Sequence, residues 1–127
     1  MKTLALLLAV LALAPLQAQE AAPQAQAVSY QEAVDCATVA LSLGLILSDR
    51  DNENATEESL ARGRAFIALL EPFTRHAESV GGKPKDAVFD DIGTAMEALA
   101  GKVQANTLSA SEFRAMGDVC VAKAELL

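Results

Sequence analysis

Two cysteines, Cys36 and Cys120, are the only ones in the chain, and the 84 residues of sequence that separate them constrain the fold more than any other feature. Whether they pair depends on the compartment, and the N-terminus speaks to that. Met1-Lys2 is a short positive start, Leu4 to Ala14 is an unbroken Leu/Ala/Val run of 11 residues, and Pro15-Leu16-Gln17-Ala18 is a turn-prone exit ending on a small residue. This is the form of a secretory signal peptide, predicted over residues 1–18. The run falls short of the roughly 18 apolar residues that cross a bilayer, so no integral membrane span is expected in the mature chain. A cut after Ala18 is favoured over one at Ala25-Gln26-Ala27, which lies farther from the apolar run, and Pro15 opposes a cut after Ala14. An exported (periplasmic or secreted) chain of this size uses two cysteines as a disulfide far more often than as a site. There is no CxxC motif and a single histidine, so neither a redox pair nor a cysteine-histidine metal cluster is indicated.

Removing the leader leaves 109 of 127 residues, enough for one domain with one core. Lys2 leaves with it, so 9 basic residues face 17 acidic ones, a net charge of −8. Such a chain repels phosphate and anionic lipid, which argues against nucleic acid or a polybasic mode of membrane binding. With no Trp, one Tyr and four Phe, the core must be built mainly from aliphatic side chains. A covalent staple suits a core that thin.

Residues 19–28 are polar and Ala/Gln-rich without an apolar period, and read as a flexible leader ahead of a helical domain over 29–127. Ser29-Tyr30-Gln31-Glu32 is a capping box, and the pattern beyond it predicts a helix from Tyr30 to about Leu47 whose second half, VALSLGLIL, is apolar nearly all round. After a polar loop at 48–56, Asn54 with Glu57, or Thr56 alone, is suited to cap a second helix that carries Leu60, Gly63, Phe66, Ile67, Leu70, Phe73, Ala77 and Val80 and ends at Gly81-Gly82. Pro72 inside it predicts a kink or break. A third helix is predicted from residues 84–86 to about 105, with Phe89, Ile92, Met96, Leu99 and Val103 on one stripe. The fourth opens on the capping box Ser109-Ala110-Ser111-Glu112, with Leu108 and Phe113 placed as a hydrophobic staple. Four such helices on short loops predict an all-α, up-down-up-down four-helix bundle. In that topology Cys36 and Cys120 each lie seven residues from matching ends of the first and last helices, at equal height. A disulfide there closes the bundle on itself.

The sequence offers little chemistry. His76 follows Arg75 near the end of the second helix, where a cationic or polar residue suits the helix dipole, and no local nucleophile accompanies it. No Glu-x-x-His pair exists for a di-iron bundle. Asp49-x-Asp51-x-Glu53 has the opening rhythm of a calcium loop, but Asn54 stands where Gly is required and Leu60 where the closing Glu belongs. Asn54-Ala55-Thr56 spells a glycosylation acceptor, relevant only to a eukaryotic secretory route. Asp90-Asp91 and Glu57-Glu58 lie in first turns, where carboxylates are ordinary, and Glu58-Arg62 and Glu71-Arg75 have the spacing of surface ion pairs. No catalytic residue, metal or cofactor is therefore assigned.

One pattern is less bland. Gly44, Gly63, Gly101 and Gly117 are interior to four different helices and fall in one half of the bundle, the half away from the bridge. Glycine costs about 1 kcal/mol there relative to alanine. Close helix approach explains such a level, and so does a cavity lined by the four glycines. The expected function is that of a small exported binding protein whose partner is another protein, of the envelope chaperone, inhibitor or immunity type; the alternative is a carrier of a small apolar ligand.

Overall fold

The computed structural model describes residues 27–127; the predicted leader over 1–18 and most of the tail over 19–28 lie outside the described residues. Four helices follow in order: α1 Tyr30–Leu47, α2 Glu57–Gly81, α3 Lys85–Gln104 and α4 Ala110–Ala124. Their starts are decided locally. Ser29 Oγ accepts from the Glu32 amide at 3.1 Å while the Ser29 amide donates to the Glu32 carboxylate at 2.9 Å, and Ser109 and Glu112 repeat the arrangement at the head of α4. At α2 the cap is Thr56, and its reciprocal partner is Ser59, which accepts from the Thr56 amide at 2.9 Å. Only α3 starts without a side-chain cap, on Pro84. The stops are equally local. Gly82 takes a left-handed backbone (φ 59°) after α2. After α3 the left-handed residue is Asn106 (φ 57°), and the Thr107 amide reaches back to the Lys102 carbonyl at 3.0 Å. Asparagine tolerates that conformation, and the back-bond satisfies a carbonyl that the helix end would leave open.

The helix containing Pro72 does not break there: α2 runs unbroken from Glu57 to Gly81. Helices α1 and α2 form the most extensive pair in the bundle, and Phe73, Thr74 and Ala77 beside the proline are buried. Nearby, Thr74 is buried and donates its hydroxyl to the Glu71 carbonyl at 2.9 Å.

The bundle is organised around α1, which packs on all three other helices, whereas α3 and α4 make no close backbone contact with each other. Helices α1 and α2 form the central antiparallel pair, flanked by α3 and α4. The reason is visible at the glycines. A Cβ on Gly44 would collide with Ile67 and come 3.2 Å from the Gly63 carbonyl, and one on Gly63 would lie 2.9 Å from the Ser48 amide nitrogen. These two backbones approach as closely as they do because neither carries a side chain at the crossing. The core then fills the side of the bundle nearest the α1 N-terminus, where Val34, Phe73, Val88 and Ile92 are the largest fully enclosed side chains.

Helix α1 is long and apolar enough to cross a membrane by length and composition, at a mean hydropathy of 1.2, and half of that window is buried against its neighbours. Val28 is buried at 6 % exposure, so the folded body begins one residue earlier than the flexible stretch over 19–28 implied.

Candidate functional site

At the closed end of the bundle every long-range polar contact serves to fasten. Cys36 and Cys120 form the disulfide between α1 and α4, their Cα atoms 5.3 Å apart. One turn away, Lys123 on α4 reaches Glu32 on α1 at 3.5 Å. The backbone amide of Ser29, and then the Lys123 charge, hold the Glu32 carboxyl below the usual carboxylate range. On the opposite flank the Tyr30 hydroxyl donates to Asp91 on α3, and Lys83 reaches the same carboxylate oxygen at 3.1 Å while lying 4.7 Å from the centre of the Tyr30 ring. The ring is stacked close on Gly81, where a Cβ would come within 2.5 Å of it. The Tyr30 hydrogen bond first, and that of Lys83 next, hold Asp91 below its ordinary range. Lys83 is held above its own by its hydrogen bond to Asp91 and that group's charge. Desolvation, followed by the bond to Asp91, pushes the Tyr30 hydroxyl up.

His76 belongs to this fastening and is neither a free surface group nor a dipole partner alone. Its Nε2–H donates to the Val28 carbonyl at 2.8 Å, pinning the segment that enters α1. Forty-eight residues separate the two, so no local pattern foretold it. Of the two surface pairs read from spacing, Glu71–Arg75 forms at 2.5 Å, whereas Glu58 and Arg62 do not meet. Asp49 accepts from the Asp51 amide, as Asn52 does from Asn54, so the calcium-like loop is built from local turns. No group of three His, Cys, Asp or Glu is arranged for a metal among the described residues.

The other end is open. Because α3 and α4 do not close on each other, a groove of about 570 Å³ lies between them over the C-terminal part of α1. Its floor is Leu43 and Ile46 of α1 with Phe66 of α2, one wall is Met96, Leu99 and Val103 of α3, and the other is Leu108 and Phe113. The predicted staple residues thus sit together here, at the start of α4. Ile46 and Val103 remain 58 % and 51 % exposed, more than large aliphatic side chains of a closed bundle would be. Arg62 and Arg114 also border the groove. A larger hollow of about 680 Å³ between α1 and α3 is walled by Asp35, Lys83, Asp91 and Lys102, and two of those four already neutralise each other.

The four glycines do not line the groove, which corrects the expectation of a glycine-lined cavity. Gly44 and Gly63 are the α1–α2 crossing, and Gly117 admits Leu43 and Phe66, whose atoms would lie 2.5 and 3.0 Å from a Cβ there. Gly101 faces open space. Gly44, Gly63 and Gly117 shape the groove indirectly, by drawing α1, α2 and α4 together and letting large side chains form its floor. The residues that do line it were present in the sequence as core stripes of α3 and α4; Leu99 and Val103 followed a helical period with no facing stripe to cover them. Comparison of the chain with models of protein families, with curated proteins and with solved structures found no match.

Proposed function

We propose that this is a small exported binding protein that carries an apolar small molecule in the groove between α3 and α4. The observation that carries the reading is the groove itself: about 570 Å³, walled by aliphatic and aromatic side chains from all four helices, with a few polar groups at its border. Ligand sites of small molecules occupy about 300–1,000 Å³ and have this character. The closed end supports it, since a disulfide and two polar clusters stabilise the bundle without drawing on the apolar surface left at the open end. In this reading α1 is the core helix of a water-soluble fold, and no catalytic step is assigned.

The test is titration with N-phenyl-1-naphthylamine, a neutral apolar fluorophore, against a protein that contains no Trp. Saturable one-to-one enhancement is expected, with amide shift changes in NMR spectra concentrated at Leu43, Phe66, Leu99 and Phe113. Leu99→Glu, placing a charge in the wall, should abolish it while leaving the helical circular dichroism intact. Absence of saturable binding to the wild-type protein would sink the reading.

A second reading, recognition of another protein, is favoured by a different surface. Val119 and Val121 on α4 and Leu126 and Leu127 just beyond it are 42–53 % exposed, and a partner docking at this end of the chain would bury apolar surface that the fold leaves in water. Affinity capture of the tagged mature protein from its native envelope, compared with a variant carrying Ser at these four positions, separates the readings. Recovery of the same proteins by both forms would reject this surface.

A further inference from the structure

The groove is a local reversal of the chain's charge. Across the whole sequence 17 acidic residues outnumber 10 basic ones, yet no Asp or Glu borders this groove and two arginines do, Arg62 from α2 and Arg114 from α4. Neither arginine has an ion pair or hydrogen bond among the described residues, although Arg75, Lys83 and Lys123 each hold a carboxylate. The sequence offered Arg62 a partner in Glu58, one helical turn away, and the pair does not form. The first residues of α4, Ser109 and Ala110, border the same space and add the partial positive charge of a helix start. Two guanidinium groups beside an aliphatic trough match a ligand with a long apolar part and a small anionic end. The planar donor fork of arginine suits a carboxylate, which accepts two parallel hydrogen bonds from it. The volume, in the lower half of the small-molecule range, suits one acyl chain better than two.

Resting on the reading of this groove as a binding site, we propose that its occupant is a single-chain carboxylate, a long-chain fatty-acid anion, with its tail between Leu43, Phe66, Leu99 and Phe113 and its head group at Arg62 and Arg114. The arginines select the head, and the aliphatic walls supply most of the affinity through apolar burial. An otherwise acidic surface keeps anionic bilayers and polyanions away, so the site takes a free monomer and not a membrane.

The test uses the mature disulfide-bonded protein and two fluorescent probes that share a tail, cis-parinaric acid and its methyl ester. The wild type should bind the acid about tenfold or more tighter than the ester. Arg62→Gln and Arg114→Gln should each weaken the acid by about tenfold, as expected for one charge-assisted contact, and leave the ester unchanged. Salt should weaken the acid alone. Equal binding of acid and ester, with N-phenyl-1-naphthylamine still bound, would overturn the head-group assignment and spare the carrier reading. Failure of all three probes to bind would overturn the carrier reading itself. Parallel loss of acid and ester in the arginine variants would overturn the charge argument. Displacement of parinaric acid at lower concentration by hexadecyl phosphate, or by an acidic amphipathic peptide, than by palmitate would overturn the choice of a carboxylate.

Discussion

The two ends of this bundle are built from the same four helices and differ in how they are held. At the end where α1 begins, a disulfide, the Tyr30–Asp91–Lys83 cluster, the Glu32–Lys123 pair and the His76–Val28 contact join every helix to α1 or to its lead-in. At the end where α1 stops, the α1–α2 crossing at Gly44 and Gly63 is tight, but no disulfide, long-range hydrogen bond or ion pair ties the helices among the described residues, and Leu45, Ile46 and Val103 stay exposed. The difference teaches that the covalent and long-range polar ties gather at one end, while the other is held by close backbone packing and apolar contact alone.

The sharpest way to break that comparison is to cut into each end. Phe73→Ala, at 0 % exposure in the closed half, should cost about 3–5 kcal/mol by urea denaturation, whereas Ile46→Ala in the open half should stay within about 0.5 kcal/mol. Equal losses would refute the asymmetry. Replacing both cysteines by serine should remove on the order of 4 kcal/mol, the chain-entropy value for a closed loop of 84 residues. In that variant, disorder should spread from the α1–α4 contact, seen as faster amide exchange in α4 before α3.

The glycines separate next. Gly63→Ala should destabilise by about 1–3 kcal/mol, because the added carbon meets backbone atoms of Leu47 and Ser48 that cannot turn aside. Gly101→Ala, with nothing within 4 Å, should stabilise by up to about 1 kcal/mol. Thermal melts of the two variants moving in the same direction would contradict the packing described.

The smallest expected effect is on pH dependence, since the groups concerned are well exposed to solvent. Asp91 is held below its ordinary range, so its contribution is complete above the unfolded value near 3.9 and is lost as pH falls through the lower folded value. Lys83 and Tyr30 are held above theirs, so their contributions are complete below roughly pH 10 and are lost as pH rises through the folded values. Stability should be flat between these limits and fall on both sides. Asp91→Asn should reduce the fall on both sides, a change readable in melting temperatures from pH 2 to 11. An unchanged profile would show that the Tyr30–Asp91–Lys83 cluster does not contribute to holding α3.

The sequence was legible wherever an interaction spans three or four residues. Ser29 with Glu32 and Ser109 with Glu112 declare their helix starts, Gly82 declares a stop, and apolar stripes give the ends of α1 and α3 to within a residue or two, while α4 stops at Ala124, three residues short of the stripe's last member, Leu127. The bridge joins the first and last helices as expected, although the count behind its placement ran the last helix to Leu127, whereas α4 ends at Ala124, four residues past Cys120. Pro72 left a kink or a break open, and the helix does not break there. The groove was not legible: Leu99, Val103 and Phe113 read as core residues, and nothing in their spacing says that the facing helix stands away.

The sequence by itself determined four helices, their caps and the antiparallel order that lets one disulfide join the first to the last, because each rests on contacts along one helix or on the reach of a short loop. The tertiary structure decided which helices close on each other. That choice turned on the size of side chains at crossings remote in sequence, with Gly44 meeting Gly63 and Gly117 admitting Leu43 and Phe66. Packing of that kind is a property of surfaces in contact, and it left α3 and α4 apart with an apolar groove between them that Arg62 and Arg114 border.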